Sequence, residues 1–414
     1  MSVALLIGMA VVRIATTLAI VKVLSVTFGP EAFGSLSHVI GISALFYMFA
    51  GGGVANGLIR NVAAESSSPG QYAWLAAASG ISMASAFLLG AICIILAVWG
   101  GSNVMMDAEL APLFLVIGVS QLFVGFGNIA FAFLSGLGKI KAFSLANAIG
   151  SLVAAALVLA AVQVFGLQGA YIAVAILPLP PALLGIGVLV LDNAPRKLRD
   201  APVEGKRVRD LIRFSIAMLV GVLSVPMVQA AMRVGMAEQS GLESVGQWQA
   251  VARISDAYMQ VFGVLFINLV LPQLSRVTGD TRRALAARLA AGLILLFMAG
   301  SAVYYLLRDQ VILFAFSPEF LPAADLVLTQ SLGDLLKIAI WIVVYTYVAG
   351  GLVRVMIGAE LVQAALTMLM FVILAPAARE AAAVQAHATA CFITLVCLIG
   401  FALSESRLRW KATE

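Results

Sequence analysis

The sequence predicts an all-α integral membrane protein of about twelve transmembrane helices, in two six-helix lobes around a central cationic cavity. Of its 414 residues, 62% are hydrophobic and only 11% are charged, and the mean hydropathy is +1.06. In soluble domains about 25% of residues are charged. A basic linker near the midpoint divides the apolar segments equally, and a small set of charges lies inside them.

Twelve apolar segments are long enough to cross about 30 Å of hydrocarbon as helices. We predict spans at 3 to 26, 34 to 58, 72 to 98, 110 to 135, 142 to 164, 168 to 191, 213 to 237, 247 to 274, 285 to 307, 323 to 348, 352 to 375 and 382 to 403. The first segment is not typical of a signal peptide, because Arg13 interrupts it and no basic region precedes it. We expect it to be a retained helix.

The distribution of basic residues predicts the orientation. The connections on one side, with the C-terminal tail, hold most of the 25 basic residues: Arg60, Lys139, Lys141, Arg196, Lys197, Arg199, Lys206, Arg207, Arg209, Arg213, Arg276, Arg282, Arg283, Arg288, Arg354, Arg407, Arg409 and Lys411. The opposite connections hold Arg308, Arg379, Glu31, Asp107, Glu109, Glu238, Glu243, Asp309, Glu319 and Glu380. The positive-inside rule therefore places both termini in the cytoplasm.

The linker defines the predicted domains. They are an N-terminal lobe at 1–191, a cytoplasmic linker at 192–212, and a C-terminal lobe at 213–414 that ends in a short cytoplasmic tail. The linker alternates in sign through Asp200, Glu204 and Asp210. This pattern favours a solvated segment on anionic lipid headgroups over a nucleic-acid-binding site.

Two weak internal matches indicate a duplication. The stretch PEAFGSL at 30 to 36 aligns with LESVGQW at 242 to 248, and GKIKAFSLAN at 138 to 147 aligns with GLVRVMIGAE at 351 to 360. The two offsets differ by only one residue. Two six-helix repeats keep the same orientation and are related by an axis along the membrane normal, which predicts a cavity between the lobes.

Apart from charges within three residues of a span's end, eight charges lie inside the predicted spans, and most must face protein or water. They are Arg13, Lys22, Arg233, Arg253, Lys337, Asp256, Asp334 and Glu360. A central Lys or Arg costs roughly 2.5 to 3.5 kcal/mol even on insertion scales. Polar stripes on the eighth and tenth helices, at about 100° per residue, predict a wet cavity. The stripes consist of Gln249, Arg253, Asp256 and Gln260, and of Gln330, Asp334, Lys337, Trp341 and Tyr345.

Structural roles stay open for many of these residues. Arg253 with Asp256, and Asp334 with Lys337, have the i, i+3 spacing of pairs that neutralise one another. Trp341 and Tyr345 are open to ordinary helix packing as well as to contact with sugar or lipid. Polar side chains at Asn56, Gln121, Asn128, Asn147 and Gln363 either line the cavity or hydrogen-bond between helices.

The remaining charges differ in how well local partners explain them. Lys22 and Arg233 lie near helix ends, where snorkelling to the interface competes with ligand binding. Glu360 is open to pairing with Arg354 or with a neighbouring helix. Arg13 lies near the middle of its helix and has no acid on that helix, which favours a functional site, although a pair with an acid of another helix stays open.

The excess of intramembrane cations predicts an anionic cargo, because guanidinium and ammonium groups suit phosphate oxygens. Neither Gly138-Lys139 nor Gly205-Lys206 lies in a P-loop, so we expect no nucleotide hydrolysis. The sequence predicts no catalytic residues, no metal site and no cofactor. His38 and His387 lie near helix ends, and Cys93, Cys391 and Cys397 lie in apolar runs without metal-ligand spacing.

Five stretches carry a resemblance to a known family. They are LSVTFGPEAFG at 24 to 34, GGGVANGLIRNVA at 51 to 63, VGQWQAVARISDAYMQ at 245 to 260, LPQLSR at 271 to 276 and GDLLKI at 333 to 338. These stretches resemble the Wzx family of polysaccharide lipid flippases, and most of all its lipid III branch, which serves enterobacterial common antigen. The resemblance implies the fold of the multidrug/oligosaccharidyl-lipid/polysaccharide (MOP) exporters. This chain departs from the pattern of the family in two places: Met1 directly precedes the apolar run, and Arg253 is an unexpected cation within its motif.

The implied cargo is an undecaprenyl-pyrophosphate-linked oligosaccharide, either an O-antigen unit or lipid III. It would be moved from the cytoplasmic to the periplasmic leaflet of a bacterial inner membrane by alternating access, and a glycan polymerase and a chain-length regulator are candidate partners. We expect Arg13, with Arg253 or Lys337, to hold the pyrophosphate. Asp256, Asp334 or Glu360 would couple transport to protons, unless the membrane potential alone drives it.

Two other function classes stay open. A drug or cation antiporter of the same fold would line its cavity with acids rather than with a cationic excess. A membrane glycan polymerase or ligase would be an enzyme and would carry a sizeable outer loop with catalytic groups, whereas the longest predicted outer connection, at about 308 to 322, is short.

Overall fold

The computed structural model describes residues 2–99, 111–199 and 201–411. Asp107, Glu109, Asp200 and the first residue of the predicted span 110 to 135 lie outside the described residues. Helices make up nearly all of the described chain, and no strand occurs in it. The prediction of an all-α membrane protein is thus confirmed.

The described residues form fourteen α-helices. They are α1 (Ser2–Phe49), α2 (Gly52–Ala64), α3 (Ser68–Trp99), α4 (Ala111–Gly136), α5 (Ile140–Ala175), α6 (Leu179–Leu191), α7 (Ala194–Arg199), α8 (Gly205–Leu265), α9 (Leu271–Ser275), α10 (Gly279–Leu306), α11 (Arg308–Ala315), α12 (Val327–Ala349), α13 (Val353–Ala378) and α14 (Ala382–Lys411). A π-helix (Phe266–Val270) joins α8 to α9, and 3₁₀-helices (Pro318–Leu326 and Arg379–Ala381) precede α12 and α14.

Seven helical segments of the described chain are long and apolar enough to cross a membrane, and some are too long for a single crossing. Gly8–Phe49 has 42 residues and Val353–Ser404 has 52, whereas about 20 suffice for one crossing. Non-helical backbone divides the long helices at Gly29, Gly166 and Gly241. These breaks lie where the sequence predicts connections between consecutive spans.

Two predicted spans are interrupted in the structure. The span 34 to 58 breaks after Phe49, because Gly51 takes the left-handed conformation (φ 71°) that starts α2. The span 168 to 191 breaks in a turn before α6, where Pro178 and two further prolines within α6 remove backbone donors. Apolar composition alone did not reveal either break.

Backbone geometry repeats at the offset of the internal matches. Gly241 (φ 85°, ψ 166°) lies 212 residues after Gly29 (φ 71°, ψ −177°), and both break a long helix. Gly351 (φ 88°) likewise lies 213 residues after Gly138 (φ 68°). Glycine takes a positive φ at little steric cost. The conformational repeat supports the duplication that the sequence indicates.

The chain forms two compact units. The first contains residues 1–24 and 38–220, and the second contains residues 25–37 and 221–414. In the first unit α4 packs against α2, α3, α5 and α6, and in the second α12 packs against α10, α13 and α14. The predicted division into lobes at 1–191 and 213–414, joined by a linker at 192–212, stays a prediction.

The predicted linker packs onto the first unit. Ala194 and Leu211 are buried in a hydrophobic cluster with α2, α3 and α4. The ammonium of Lys197 lies 5.1 Å from the centre of the Tyr72 ring. Arg207 donates a hydrogen bond of 2.7 Å to the carbonyl oxygen of Gly70. The segment is therefore anchored by both apolar and cationic contacts, which its alternating charges alone did not indicate.

In the second unit, the segment 25–37 makes a reciprocal close contact with the start of the second helical part of α8. A Cβ on Gly34 would lie 2.1 Å from the carbonyl oxygen of Leu242, and a Cβ on Gly246 would lie 2.0 Å from that of Pro30. Both positions therefore require glycine. Because Gly34 and Gly246 are equivalent in the internal repeat, the contact is itself pseudo-symmetric.

Candidate functional site

Each unit contains a polar cavity. The first, here the N-terminal cavity, has a volume of about 370 Å³. It is lined by Arg13, Thr16, Thr17, Ile20, Asn128, Phe131, Asn147, Ser151, Ala154, Leu177, Pro178, Pro181 and Ala182. These residues come from α1, α4, α5, the turn that follows α5, and α6. The lining contains a guanidinium, hydroxyls and amides, but no carboxylate.

Arg13 dominates the charge of the N-terminal cavity. Its side chain is exposed, and no hydrogen bond or ion pair joins it to another residue in the described ranges. The hydroxyls of Thr16 and Thr17 donate to backbone carbonyl oxygens one turn earlier, at 2.9 and 2.8 Å. These bonds use the hydroxyl hydrogens of both threonines. Among the residues that line the cavity, Arg13 is the charged one.

The second cavity, here the C-terminal cavity, has a volume of about 290 Å³. It is lined by Val225, Val228, Gln229, Met232, Trp248, Ala252, Ser255, Asp256, Met259, Gln330, Asp334, Lys337, Trp341, Glu360, Gln363, Ala364, Thr367, Ala383 and His387. Helices α8, α12, α13 and α14 contribute these residues. Unlike the N-terminal cavity, it holds both carboxylates and cations.

Asp334 is the centre of one cluster in this cavity. Its side chain is buried at 3% exposure. The hydroxyls of Ser255 (2.6 Å) and Tyr258 donate to its Oδ2. Gln330 Nε2 donates to both carboxylate oxygens at 3.2 and 3.3 Å, and His387 Nε2 lies 3.0 Å from Oδ1. Four donor groups from three helices therefore satisfy one buried carboxylate.

Lys337 is the centre of a second cluster. Its Nζ donates to both Glu360 carboxylate oxygens at 3.1 Å and to Oε1 of Gln363. It also lies 6.0 Å from the centre of the Trp341 ring. The side chains of the Lys337–Glu360 pair are 11% and 25% exposed. This cation is thus already neutralised by a carboxylate of the neighbouring helix.

A chain of polar contacts joins the two clusters. Gln363 Nε2 donates to Cys391 Sγ at 3.1 Å, and Cys391 Sγ lies 3.8 Å from His387 Nδ1. His387 in turn contacts Asp334. A continuous network of polar groups therefore borders the C-terminal cavity, and its acidic and basic members compensate one another.

The structure brings together about half of the predicted site residues. Arg13 lines the N-terminal cavity, and Asp256, Asp334, Lys337, Glu360, Gln330 and Trp341 line the C-terminal cavity. Lys22, Arg233, Arg253, Gln249, Gln260 and Tyr345 line neither. Their proposed roles in binding stay predictions.

Several residues outside the cavities have identifiable surroundings. Arg233 and Arg253 are electrostatic neighbours of Asp256. Arg233 is buried, and its Nε has no hydrogen-bond partner among the described residues. Tyr345 packs against Phe266, with ring centres 5.2 Å apart. Gln260 is exposed and Gln249 is buried.

Of the roles left open, the local pairing of Asp334 with Lys337 does not occur, because each uses a partner on another helix, His387 on α14 and Glu360 on α13. Within the described chain, no ion pair within 4.0 Å joins Arg253 to Asp256 either. An i, i+3 spacing brings side chains near one another without fixing their rotamers. A better-placed partner on another helix therefore forms the ion pair instead.

Sequence reasoning missed the role of α14. Neither His387 nor Cys391 was predicted to belong to a site, yet together they connect the two clusters. Their spacing of four residues, which places them on one helix face, was the available signal. Cys93 and Cys391 are buried, whereas Cys397 is exposed.

Comparison with known proteins confirms the resemblance seen in the sequence. The chain is 28% identical over 385 residues to the lipid III flippase of Escherichia coli (strain K12), covering 91% of each chain, and equally similar to that of Shigella flexneri. The family described as polysaccharide biosynthesis protein matches residues 2–278.

Solved structures show the fold. An inward-facing multidrug-resistance MATE transporter of the MOP superfamily matches with a TM-score of 0.75 at 16% identity, covering 96% of this chain and 99% of that one. The lipid II flippase MurJ, in its inward closed conformation, matches with a TM-score of 0.72 at 13% identity, covering 97% and 87%. The chain therefore has the fold of the MOP superfamily. Since the family match extends over well more than half of its residues, the protein belongs to the polysaccharide biosynthesis protein family.

Proposed function

We propose that the protein is a flippase for an undecaprenyl-pyrophosphate-linked oligosaccharide, working by alternating access in a bacterial inner membrane. The observation that carries the proposal is the guanidinium of Arg13, which faces a polar cavity without any carboxylate in its lining. A diphosphate has the charge and the oxygen geometry that a guanidinium binds best. The names of the full-length relatives, lipid III flippases, support the same cargo class.

The remaining lining of the N-terminal cavity suits the same ligand. Asn147 and Ser151 on α5 and Asn128 on α4 face the space beside Arg13. Amide and hydroxyl groups hydrogen-bond phosphate and sugar oxygens alike. In this proposal the pyrophosphate binds at Arg13, the sugars occupy water-filled space, and the prenyl chain stays in lipid. An O-antigen unit and lipid III are the candidate cargoes.

The C-terminal cavity supplies a candidate for energy coupling. Asp256 lines it with an exposed side chain, and no hydrogen bond or ion pair satisfies its carboxylate within the described part of the chain. In contrast, Asp334 and Glu360 already have partners. We propose that Asp256 takes up a proton in one state of the cycle. The membrane potential would also favour outward movement of an anion, by about 2.3 kcal/mol per charge per 100 mV.

The topology is part of the proposal. Both termini lie in the cytoplasm, because the linker and the other basic connections face that side. A glycan polymerase and a chain-length regulator are the candidate partners that would receive the cargo after it is flipped.

A cation or drug antiporter is the second candidate, because the C-terminal cavity has three carboxylates and the MATE fold matches over nearly the whole chain. The two candidates differ in the part that Arg13 plays. An anionic cargo requires the uncompensated cation in the N-terminal cavity. For a cationic cargo, the same charge is repulsive.

Reconstituted transport tests the proposal. Purified protein in proteoliposomes is given a labelled pyrophosphate-linked glycolipid on one leaflet, and its appearance on the other leaflet is followed. Arg13→Ala removes a charge-assisted contact of about 1.5 to 3 kcal/mol, so we expect flipping to fall at least tenfold. Arg13→Lys is expected to retain part of the activity, because it keeps the charge.

The matched control is Arg209→Ala. Arg209 is an exposed arginine of the same unit and does not line the cavity. We expect it to flip normally. Normal flipping by Arg13→Ala would remove the pyrophosphate site from the N-terminal cavity. The antiporter would be favoured by two results together: the wild type flips no glycolipid, and Arg13→Ala increases the uptake of a cationic dye.

A further inference from the structure

A third cavity lies in the second unit. It has a volume of about 560 Å³ and opens between α10, α12 and α14. Its lining residues, here the α10 groove, are Gly279, Arg282, Arg283, Ala286, Ala287, Ala290, Ile342, Val343, Thr346, Tyr347, Gly350, Leu352 and Ala402. None of them lines the N-terminal or the C-terminal cavity.

The two ends of the α10 groove differ in chemistry. Arg282 and Arg283 lie in the first turn of α10, whereas Ala290 lies about 10 Å further along the helix. Helix α12 runs back beside it, with Gly350 at the arginine end, since a Cβ on Gly350 would lie 2.9 Å from Arg282 Nη1. Ile342 is then at the apolar end. The groove is cationic at one end and aliphatic at the other.

The arginine end is a built feature. The Nε of Arg282 donates to the carbonyl oxygens of Leu274 (3.0 Å) and Val277 (2.9 Å). These two bonds hold the half-buried side chain over the groove. They occupy Nε, whereas Nη1 lies beside Gly350.

The positive charge at this end is poorly compensated. The lining contains two guanidiniums and no carboxylate. Arg283 contacts Asp280 at 3.5 Å, but the aspartate side chain is 99% exposed, so that pair is weak. A ligand with a negative head and an aliphatic body would complement both ends.

We infer that the α10 groove binds an anionic glycerophospholipid, with the headgroup phosphate at Arg282 and Arg283 and an acyl chain along Ala287 and Ala290. Basic clefts between transmembrane helices are suited to such headgroups. Helix α10 is long and apolar enough to cross a membrane, so the bilayer is the source of lipid for its aliphatic wall. This lipid is a resident of the protein and is distinct from the transported cargo, so the inference does not depend on the proposed flippase activity.

Lipid binding to the purified, detergent-solubilised chain tests the inference. Phosphatidylglycerol and phosphatidylcholine are titrated separately, and bound lipid is counted by native mass spectrometry. We expect one phosphatidylglycerol to bind in preference to phosphatidylcholine. Arg283→Gln is expected to weaken phosphatidylglycerol binding about fivefold, the equivalent of one cationic contact near the headgroups.

A matched control is available on the same helix. Arg288 is exposed and does not line the groove, so Arg288→Gln removes an equal charge and is expected to leave binding unchanged. Equal losses in Arg283→Gln and Arg288→Gln would overturn the inference, because they would show attraction by overall charge. So would equal binding of the two lipids by the wild type.

A second pair of variants tests the aliphatic part without altering charge. Ala287→Phe fills the groove, whereas Ala284→Phe places the same ring on an exposed position outside it. We expect only the first to lower phosphatidylglycerol binding. Inorganic phosphate at the same concentration should not displace the lipid. Complete displacement by phosphate, or exclusive binding of the pyrophosphate-linked glycolipid, would assign the groove to a different ligand and refute the inference.

Discussion

The two polar cavities occupy corresponding halves of a duplicated chain, yet they differ in whether their charged side chains have partners. In the N-terminal cavity, Arg13 has no carboxylate partner in the lining. In the C-terminal cavity, Lys337 pairs with Glu360, and Asp334 is satisfied by four donors. A charge in a membrane helix is therefore informative only together with its partners, and the uncompensated one is the better candidate for ligand binding.

The two cavities can be compared directly because they lie in halves with equivalent backbone geometry. The breaks at Gly29 and Gly241, and the mutual contact of Gly34 and Gly246, show that the two halves share local backbone geometry. The scaffold is repeated while the side chains facing each cavity are not. We infer that the halves have diverged in chemistry, one towards an anionic ligand and the other towards a balanced polar network.

The largest expected effect tests whether the C-terminal cluster is structural. Asp334→Ala leaves the donors of Ser255, Gln330 and His387 without their acceptor in a buried site. We expect the free energy of unfolding to fall by about 3 to 5 kcal/mol. Denaturant titration of the detergent-solubilised protein measures it.

Asp256→Ala is the matched control for this prediction. It removes the same group from the same cavity, but the side chain is exposed and without a hydrogen-bond partner in the described part of the chain. It loses the attraction of Arg233 and Arg253 but no hydrogen bond or close ion pair, so its cost should be about 1 kcal/mol. Similar losses for the two variants would mean that the hydrogen bonds of Asp334 contribute little to stability.

A smaller effect is expected when the N-terminal cavity is made to resemble the C-terminal one. Asn147→Asp adds a carboxylate to the lining at nearly constant shape. The new charge would compensate Arg13 and repel a pyrophosphate, so we expect flipping of the labelled glycolipid to fall about tenfold, which corresponds to about 1.4 kcal/mol. Asn56→Asp, at an exposed position outside the cavity, should flip normally. Unchanged flipping by Asn147→Asp would show that the cargo's charge does not enter this cavity.

Much of this arrangement could be predicted from the sequence, because a charge that interrupts an apolar helix stands out. Arg13, Asp256, Asp334 and Lys337 were all predicted on this basis. The repeat offset likewise indicated the equivalent halves. The conformation of Gly241 explains why one continuous helical stretch holds two predicted spans.

The partners of these charges could not be predicted in the same way. Glu360 and His387 lie 23 and 53 residues from the side chains they contact, on helices whose rotation is set by packing. A single helix shows only its own face, and the i, i+3 spacing of Asp334 and Lys337 favoured a local pair that does not form. The α10 groove was not predicted, because Arg282 and Arg283 were counted with the basic connections and the alanines that follow them on α10 form no polar pattern.

The smallest expected effect separates function from stability at Arg13. Because its exposed side chain has no hydrogen-bond or ion-pair partner in the described chain, Arg13→Gln should change the free energy of unfolding by less than about 0.5 kcal/mol. Lys337→Gln removes a cation bonded to Glu360 and Gln363, and should cost about 1.5 to 3 kcal/mol in the same titration. A large loss for Arg13→Gln would reveal a partner that this cation needs to fold. A small loss of stability combined with weak flipping would instead show that the charge of Arg13 acts on the cargo and not on the stability of the fold.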